Sequence, residues 1–273
     1  MIGQPIAVSA LRLAFAARRK KLSPGKTGLP VETVAIASTS GILLAGWFLP
    51  GEAGRGAVVL LHGVTDNRMN MVERMRFLSQ EGFATLAIDF QAHGMSDGRF
   101  ITLGARESFD ARAALAWLRT RLPNEKIGVI AISLGGAAAL IGDAPLELDA
   151  LALESVYPDI VRATRNRLRF FVGPLGDPLT RLVLDYGEIA LGIDRQELRP
   201  VEAIGRVSAP VFVLSGARDR WTPIEETREL FARAKSPKTL WEVPGAGHVD
   251  LYDFAPKEYR QRMIAFLTEA FAR

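Results

Sequence analysis

A chain of 273 residues, 48% apolar and 23% charged, has enough apolar material for one large core and the composition of a folded globular protein. Lysine and arginine number 34 against 30 acidic residues, a net charge of +4 without any nucleic-acid motif, so no nucleic-acid partner is expected. There is no cysteine, which excludes disulfides, thiolate catalysis and cysteine-bound metals.

The run from Ile6 to Ala17 is apolar apart from Ser9 and Arg12, and Arg18-Arg19-Lys20-Lys21 follows it. It is too short to span a bilayer as a helix. Its charge follows the apolar run, whereas a signal peptide carries charge in front. Residues 1–30 therefore read as an uncleaved accessory segment and linker. The segment either packs on the domain as a helix, trails as a loose terminus, or makes peripheral contact with an anionic membrane as a basic amphipathic helix through residues 6–21. The expected location is cytoplasmic, at most peripheral on the membrane.

Ser23 to Pro30 is rich in breakers, and Val31 to Ala37 with Ile42 to Phe48 then reads as an opening β-hairpin. Ala57 to Leu61 is a short buried strand that delivers His62-Gly63. Met71, Val72, Met75 and Leu78 share a helix face, Ala84 to Ile88 is a strand, and Phe109, Ala113 and Trp117 mark the next helix. Ile127 to Ile132 is an apolar, β-branched run that breaks at Ser133 and continues into the alanine-rich helix around Ala137 to Leu140. Ala150 to Leu153 is one more strand, ending at Glu154-Ser155. Alternation of this kind predicts an α/β architecture: one domain over residues 31–273, a mostly parallel central sheet and helices on both faces. Ligands then belong at the carboxyl ends of the strands.

From Val156 to Gly205 the rhythm breaks. Arg162, Arg165, Arg167 and Arg169 interleave with apolar residues, and Gly173-Pro174, Asp177-Pro178 and Arg199-Pro200 interrupt. Residues 156–205 are expected to form a helical cap inserted over the strand ends. Its arginines suit a solvated face or an anionic substrate. The rhythm resumes with the strand Val211 to Leu214. Thr222 is expected to cap a helix with Pro223 first inside it and Glu225 completing a capping box. Leu230, Phe231 and Ala234 are its buried side, and Thr239 to Val243 is the last strand. A terminal helix opens near Pro256, and its stripe of Tyr259, Met263, Phe266, Leu267 and Ala270 reads as core packing alone.

Ser133, Asp219 and His248 follow three presumed parallel strands in that chain order, so they share one sheet edge. Small residues flank Ser133: Ala131, Gly135 and Gly136. A serine hydroxyl becomes a nucleophile when a histidine takes its proton, and an acid fixes the histidine tautomer and stabilises its charged form. The candidate catalytic residues are therefore Ser133 as nucleophile, His248 as base and Asp219 as orienting acid. Glu154 is the alternative acid, since it also ends a strand near Ser133. Asp250 is too close in sequence to His248 to orient it.

At these residues the chain resembles the α/β-hydrolase fold family over most of its length from about Val31. The resemblance rests on His62-Gly63, the segment Asp89-Phe90-Gln91-Ala92-His93-Gly94-Met95-Ser96, the turn at Ser133, the Gly216-Ala217-Arg218-Asp219 loop and Gly247-His248. One position departs: the usual Gly-x-Ser-x-Gly stands here as Ala131-Ile132-Ser133-Leu134-Gly135. The resemblance implies an oxyanion hole made by the backbone N–H groups of Leu134 and Val64. It also implies bracing roles for His62 and His93. Within the family it resembles the capped bacterial hydrolases that are similar to monoacylglycerol lipases and serine aminopeptidases. The implied function is a serine hydrolase that cleaves an ester, a thioester or an amide of a small-molecule acyl substrate through an acyl-enzyme. No cofactor or metal is expected. A serine at this turn argues against dehalogenase or epoxide-hydrolase chemistry, which uses a carboxylate there. The alternatives are acyl transfer to an alcohol on the same three residues and a non-catalytic, ligand-binding member of the fold.

Overall fold

The computed structural model describes residues 15–273 apart from residue 236. The chain opens with a two-residue strand β1 (Arg18–Arg19), then β2 (Glu32–Ala37), β3 (Leu43–Leu49) and β4 (Ala57–Leu61). Helix α1 (Val72–Gln80) leads to β5 (Ala84–Ile88) and the short β6 (His93–Gly94), and α2 (Glu107–Arg121) leads to β7 (Ile127–Ile132). Next come α3 (Leu134–Leu140), β8 (Ala150–Glu154), α4 (Ile160–Val172), α5 (Gly176–Leu191) and α6 (Pro200–Ala203). The order closes with β9 (Val211–Gly216), α7 (Ile224–Arg233), β10 (Lys238–Val243), α8 (Leu251–Phe254) and α9 (Pro256–Phe271).

Eight strands form one sheet in the order β10-β9-β8-β7-β4-β5-β3-β2. Only β2 with β3 and β3 with β5 pair antiparallel, so the mostly parallel α/β sheet with its opening hairpin stands as read from the sequence. Alternate strand positions feed a core on each face. Leu61, Ile88, Val129, Ala131, Leu153 and Val213 belong to the core that also takes α2, α3 and α7. Leu60, Ala87, Ile130, Ala152, Phe212 and Leu214 belong to the core under α1 and α9. Burial on both faces explains why these strands are apolar apart from Thr85, Glu154 and Ser215.

Four details differ from the sequence reading. Of residues 6–21, read as a packed accessory helix, a loose terminus or a membrane-surface helix, residues 6–14 lie outside the described residues, and Phe15 to Lys21 is not helical. Arg18–Arg19 pairs in parallel with His93–Gly94, and Ile101 N–H donates to the Phe15 carbonyl at 2.9 Å. The loop around residues 92–101 offers backbone partners there, and Phe15, 2% exposed, anchors the segment in the hydrophobic interior. Thr222 does not cap α7, whose N-cap is Pro223. Its hydroxyl donates to the Ser155 carbonyl instead, and its N–H goes to Asp219. Phe109 is exposed on α2, whose buried face carries Ala111, Ala114, Leu115 and Leu118. Tyr259 does more than pack, because its hydroxyl joins a buried ionic cluster with Arg74 and Glu154.

Among the described residues no helix is long and apolar enough to cross a membrane.

Asp110 on α2 is fully buried beneath the loop after β5, where it accepts from Gln91 N–H at 2.8 Å and from the Ser40 hydroxyl at 3.2 Å. Burial pushes its carboxyl up from 3.8 to about 7. A folded state that holds a proton more tightly than the unfolded chain gains stability below the unfolded value and loses it as pH rises to the folded one. Between about pH 5 and about pH 8 this group should cost the fold about 3 kcal/mol. Asp110→Asn keeps an oxygen for Gln91 and removes the titration, so its stability should fall less than the wild type's over that range. Thermal unfolding of both proteins at the two pH values checks this, and equal losses would refute it.

Candidate active site

The strand ends assemble the site. Ser133, immediately after β7, has φ 48° and ψ −106°, a left-handed backbone that a serine adopts only under constraint. Its N–H donates to the Glu154 carbonyl at 2.8 Å, which fixes the turn to the end of β8. Two residues on, a Cβ at Gly135 would stand 2.6 Å from the Leu61 carbonyl oxygen. Only glycine lets α3 start that close to β4, and this contact tips Ser133 out of the sheet edge. Ala131 is wholly buried between Leu61 and Leu153, so the alanine fits where the family pattern has glycine.

Asp219 and His248 are brought together by the ends of β9 and β10. A Cβ at Gly216 would meet the Gly247 carbonyl oxygen at 2.3 Å, so the two loops touch through that glycine. Arg218 N–H to the Ala246 carbonyl at 2.8 Å and Ala217 N–H to the Val243 carbonyl at 2.9 Å staple them. The Asp219 side chain is completely buried. Its Oδ1 accepts from the N–H groups of Trp221 at 2.8 Å and Thr222 at 2.9 Å, and its Oδ2 accepts from His248 Nδ1 at 2.7 Å. With Nδ1 donating to the carboxylate, His248 presents Nε2 as the free base.

Ser133, Leu134, Val64 and His248 line one cavity, which encloses about 890 Å³ of empty space including its mouth. Its walls are mostly apolar, with Phe15, Leu103, Tyr157, Ile160 and Leu168 among them. A second, polar cleft lined by Asp66, Glu73, Arg74 and Asp250 meets it at Ser133, Arg167, Trp221 and His248. No hydrogen bond joins Ser133 to His248, whose side chain bonds to Asp219. The N–H of Leu134 opens α3 and has no intrahelical acceptor. The Val64 peptide is held from behind, its carbonyl accepting from His93 Nε2 at 2.7 Å.

The other candidates make no hydrogen bond to the His248 ring, whose partner is Asp219. Glu154 and Asp250 are both spent on the buried Arg74, each with an oxygen 2.9 Å from its guanidinium. His62 is used at both ring nitrogens: Nδ1 donates to the Gly63 carbonyl at 2.7 Å and Nε2 accepts Phe90 N–H at 3.1 Å. Burial, aided by the charge of His93, pushes its pKa down to about 3, so it stays neutral and rigid. A buried ion pair of Arg68 with Asp89 ties the segment after His62 to the segment before His93. Among the described residues no three histidine, aspartate or glutamate side chains group as a metal site.

The model of the alpha/beta hydrolase family matches residues 58–262. The chain belongs to the alpha/beta hydrolase family. As a family member it is similar to the alpha/beta hydrolase domain-containing protein WAV2 of Arabidopsis thaliana, 26% identical over 259 residues that cover 90% of this chain and 81% of the relative. Among solved structures it is similar to the Pyrococcus furiosus esterase Pf2001, with a TM-score of 0.75, 26% identity, and coverage of 93% of this chain and 98% of that one. An esterase from Exiguobacterium antarcticum shares the fold at 15% identity and a TM-score of 0.64.

Sequence reasoning about this α/β-hydrolase chain missed Phe15, which lies outside the matched residues yet lines the cavity, and Trp221, whose ring sits 4.8 Å from that of His248. A tryptophan directly after a candidate acid loop was the available signal for the second. Nothing in the apolar N-terminal run marked the first.

Proposed function

We propose that this chain is a serine hydrolase that cleaves an ester through an acyl-enzyme, with Ser133 as nucleophile, His248 as base and Asp219 as orienting acid. The observation that carries the reading is the Asp219–His248 hydrogen bond beside a serine held at positive φ on the same cavity. The likeness to an esterase at 26% identity supports an ester as the bond cleaved.

His248 Nε2 takes the Ser133 proton as Oγ attacks the acyl carbon, and the carbonyl π electrons move onto oxygen. The N–H groups of Leu134 and Val64 serve as the oxyanion hole for that charge. Collapse breaks the carbon–oxygen bond to the alcohol, which leaves with the proton from His248. A water then repeats the sequence on the acyl-enzyme and releases the acid. The apolar cavity suits the acyl chain, and the polar cleft suits the alcohol. The helices between β8 and β9 act as a cap, since Ile160, Ala163 and Leu168 of α4 wall the acyl side.

The test is labelling with a fluorophosphonate alongside hydrolysis of nitrophenyl esters. Wild-type protein should gain one phosphonyl adduct on the Ser133 peptide, and Ser133→Ala should lose both the adduct and turnover while unfolding at the wild-type temperature. Folded wild-type protein that stays unlabelled would sink the reading. Added alcohol that diverts the product from acid to ester would reassign it to acyl transfer.

A further inference from the structure

Arg167 is the one permanently charged side chain among the described residues that line the apolar cavity. Its neighbours in the inserted helices are neutralised by carboxylates. Arg162 meets Asp159 at 2.6 Å and Glu229 at 2.5 Å, Arg165 and Arg169 share Asp177, and Arg181, Arg195 and Arg199 have acidic partners of their own. Arg167 has none among the described residues, and residues 1–14 and 236 contain no aspartate or glutamate to supply one.

What Arg167 does touch points the same way. Its guanidinium lies 4.2 Å over the Trp221 ring, and Trp221 packs on His248. The same guanidinium borders the polar cleft, so it stands where the two cavities meet at Ser133. Burial pushes its pKa below the ordinary arginine value, and the nearby Asp219 charge only partly offsets this. The Asp219 carboxylate is fully used by His248, Trp221 and Thr222. A desolvated guanidinium without a counter-ion is costly, and its fork is shaped to take two oxygens of a carboxylate or phosphate.

We propose that Arg167 binds an anionic group, carboxylate or phosphate, carried by the substrate near the scissile ester. This rests on the serine-hydrolase reading for the word substrate; the anion site itself does not. The anion reaches Arg167 either from the acyl chain in the apolar cavity or from the alcohol in the polar cleft. Asp66, Glu73 and Asp253 line that cleft and would repel an anion placed deeper in it.

The experiment uses the full chain as wild type, Arg167→Met and Arg167→Lys. Calorimetric titration with octyl phosphate and with octanol measures binding without catalysis. Wild type should favour octyl phosphate by about tenfold or more, the methionine variant should lose that preference, and the lysine variant should keep part of it. Kinetics on two substrate pairs then locate the anion: methyl butanoate with methyl hydrogen succinate, and octanoylglycerol with octanoylglycerol phosphate. In one pair the wild-type preference for the anionic ester should appear in KM and fall about tenfold or more in Arg167→Met. A phosphate preference that is absent, or that survives the methionine substitution, overturns the proposal. If ester turnover and Ser133 labelling are missing but octyl phosphate binding depends on Arg167, the anion site stands and the hydrolase reading falls.

Discussion

Asp219→Asn should lower kcat on a nitrophenyl ester roughly ten-thousand-fold, with little change in KM. The size follows from the way the carboxylate is held. Oδ1 is pinned by the backbone N–H groups of Trp221 and Thr222, so an asparagine there must keep its oxygen on them. Its NH2 is then turned toward His248. Two donors cannot face each other at the 2.7 Å now separating Oδ2 and Nδ1, so the imidazole must move its proton to Nε2. That leaves no lone pair for the Ser133 proton. Fluorophosphonate labelling should slow in parallel, because it needs the same base. The unfolding temperature should stay close to wild type, since the backbone contacts survive. A variant that retains a tenth or more of wild-type kcat would remove Asp219 from its assigned role, and Glu154 would not inherit it while Arg74 holds that carboxylate.

Much of this arrangement was legible in the chain because the strands are buried on both faces. Ala57–Leu61 stands out as an apolar run of strand length, and Ser133 and Asp219 follow similar runs, whereas His248 follows the half-exposed edge strand Lys238–Val243. Period and punctuation report backbone direction, which is enough to place Ser133, Asp219 and His248 at one sheet edge. Contacts made by one side chain across the fold leave no such trace. Arg167 and Arg169 are alike in sequence, yet Arg169 binds Asp177 on the surface and Arg167 turns into the cavity. Thr222 followed by Pro223 matches a helix start, but the Asp219 carboxylate claimed its N–H first. Local preference lost there to the geometry of the site.

The cluster around Arg74 carries the other large expected effect, on stability. Arg74 and Tyr259 are fully buried and Glu154 is 1% exposed, and all three join polar atoms across α1, β8 and α9. Arg74→Met should cost about 4 kcal/mol, because it strands Glu154 without its counter-ion. For a chain of this size that is roughly 10 °C in unfolding temperature. Burial already pushes the Glu154 carboxyl up despite Arg74, so losing Arg74 raises it further and the folded state takes a proton. A raised folded value contributes stability only at low pH and loses it as pH rises. Burial also works against Asp250, but Arg74 holds its carboxyl below the ordinary value, which stabilises above the carboxylate range and fades as pH falls. The Glu154 effect makes the deficit of Arg74→Met larger near pH 8 than near pH 5, while the Asp250 contribution is constant over that range and fades only below it, and Glu154→Gln added to Arg74→Met should recover part of the loss. Asp250 also accepts from the N–H groups of Tyr252 and Asp253 at the start of α8, two residues after His248. The Arg74 ion pair therefore steadies the turn that carries His248, so under the proposed mechanism kcat should drop in Arg74→Met, though far less than in Asp219→Asn. A deficit under about 1 kcal/mol, or one that does not change with pH, would mean that water or backbone groups neutralise Glu154 instead.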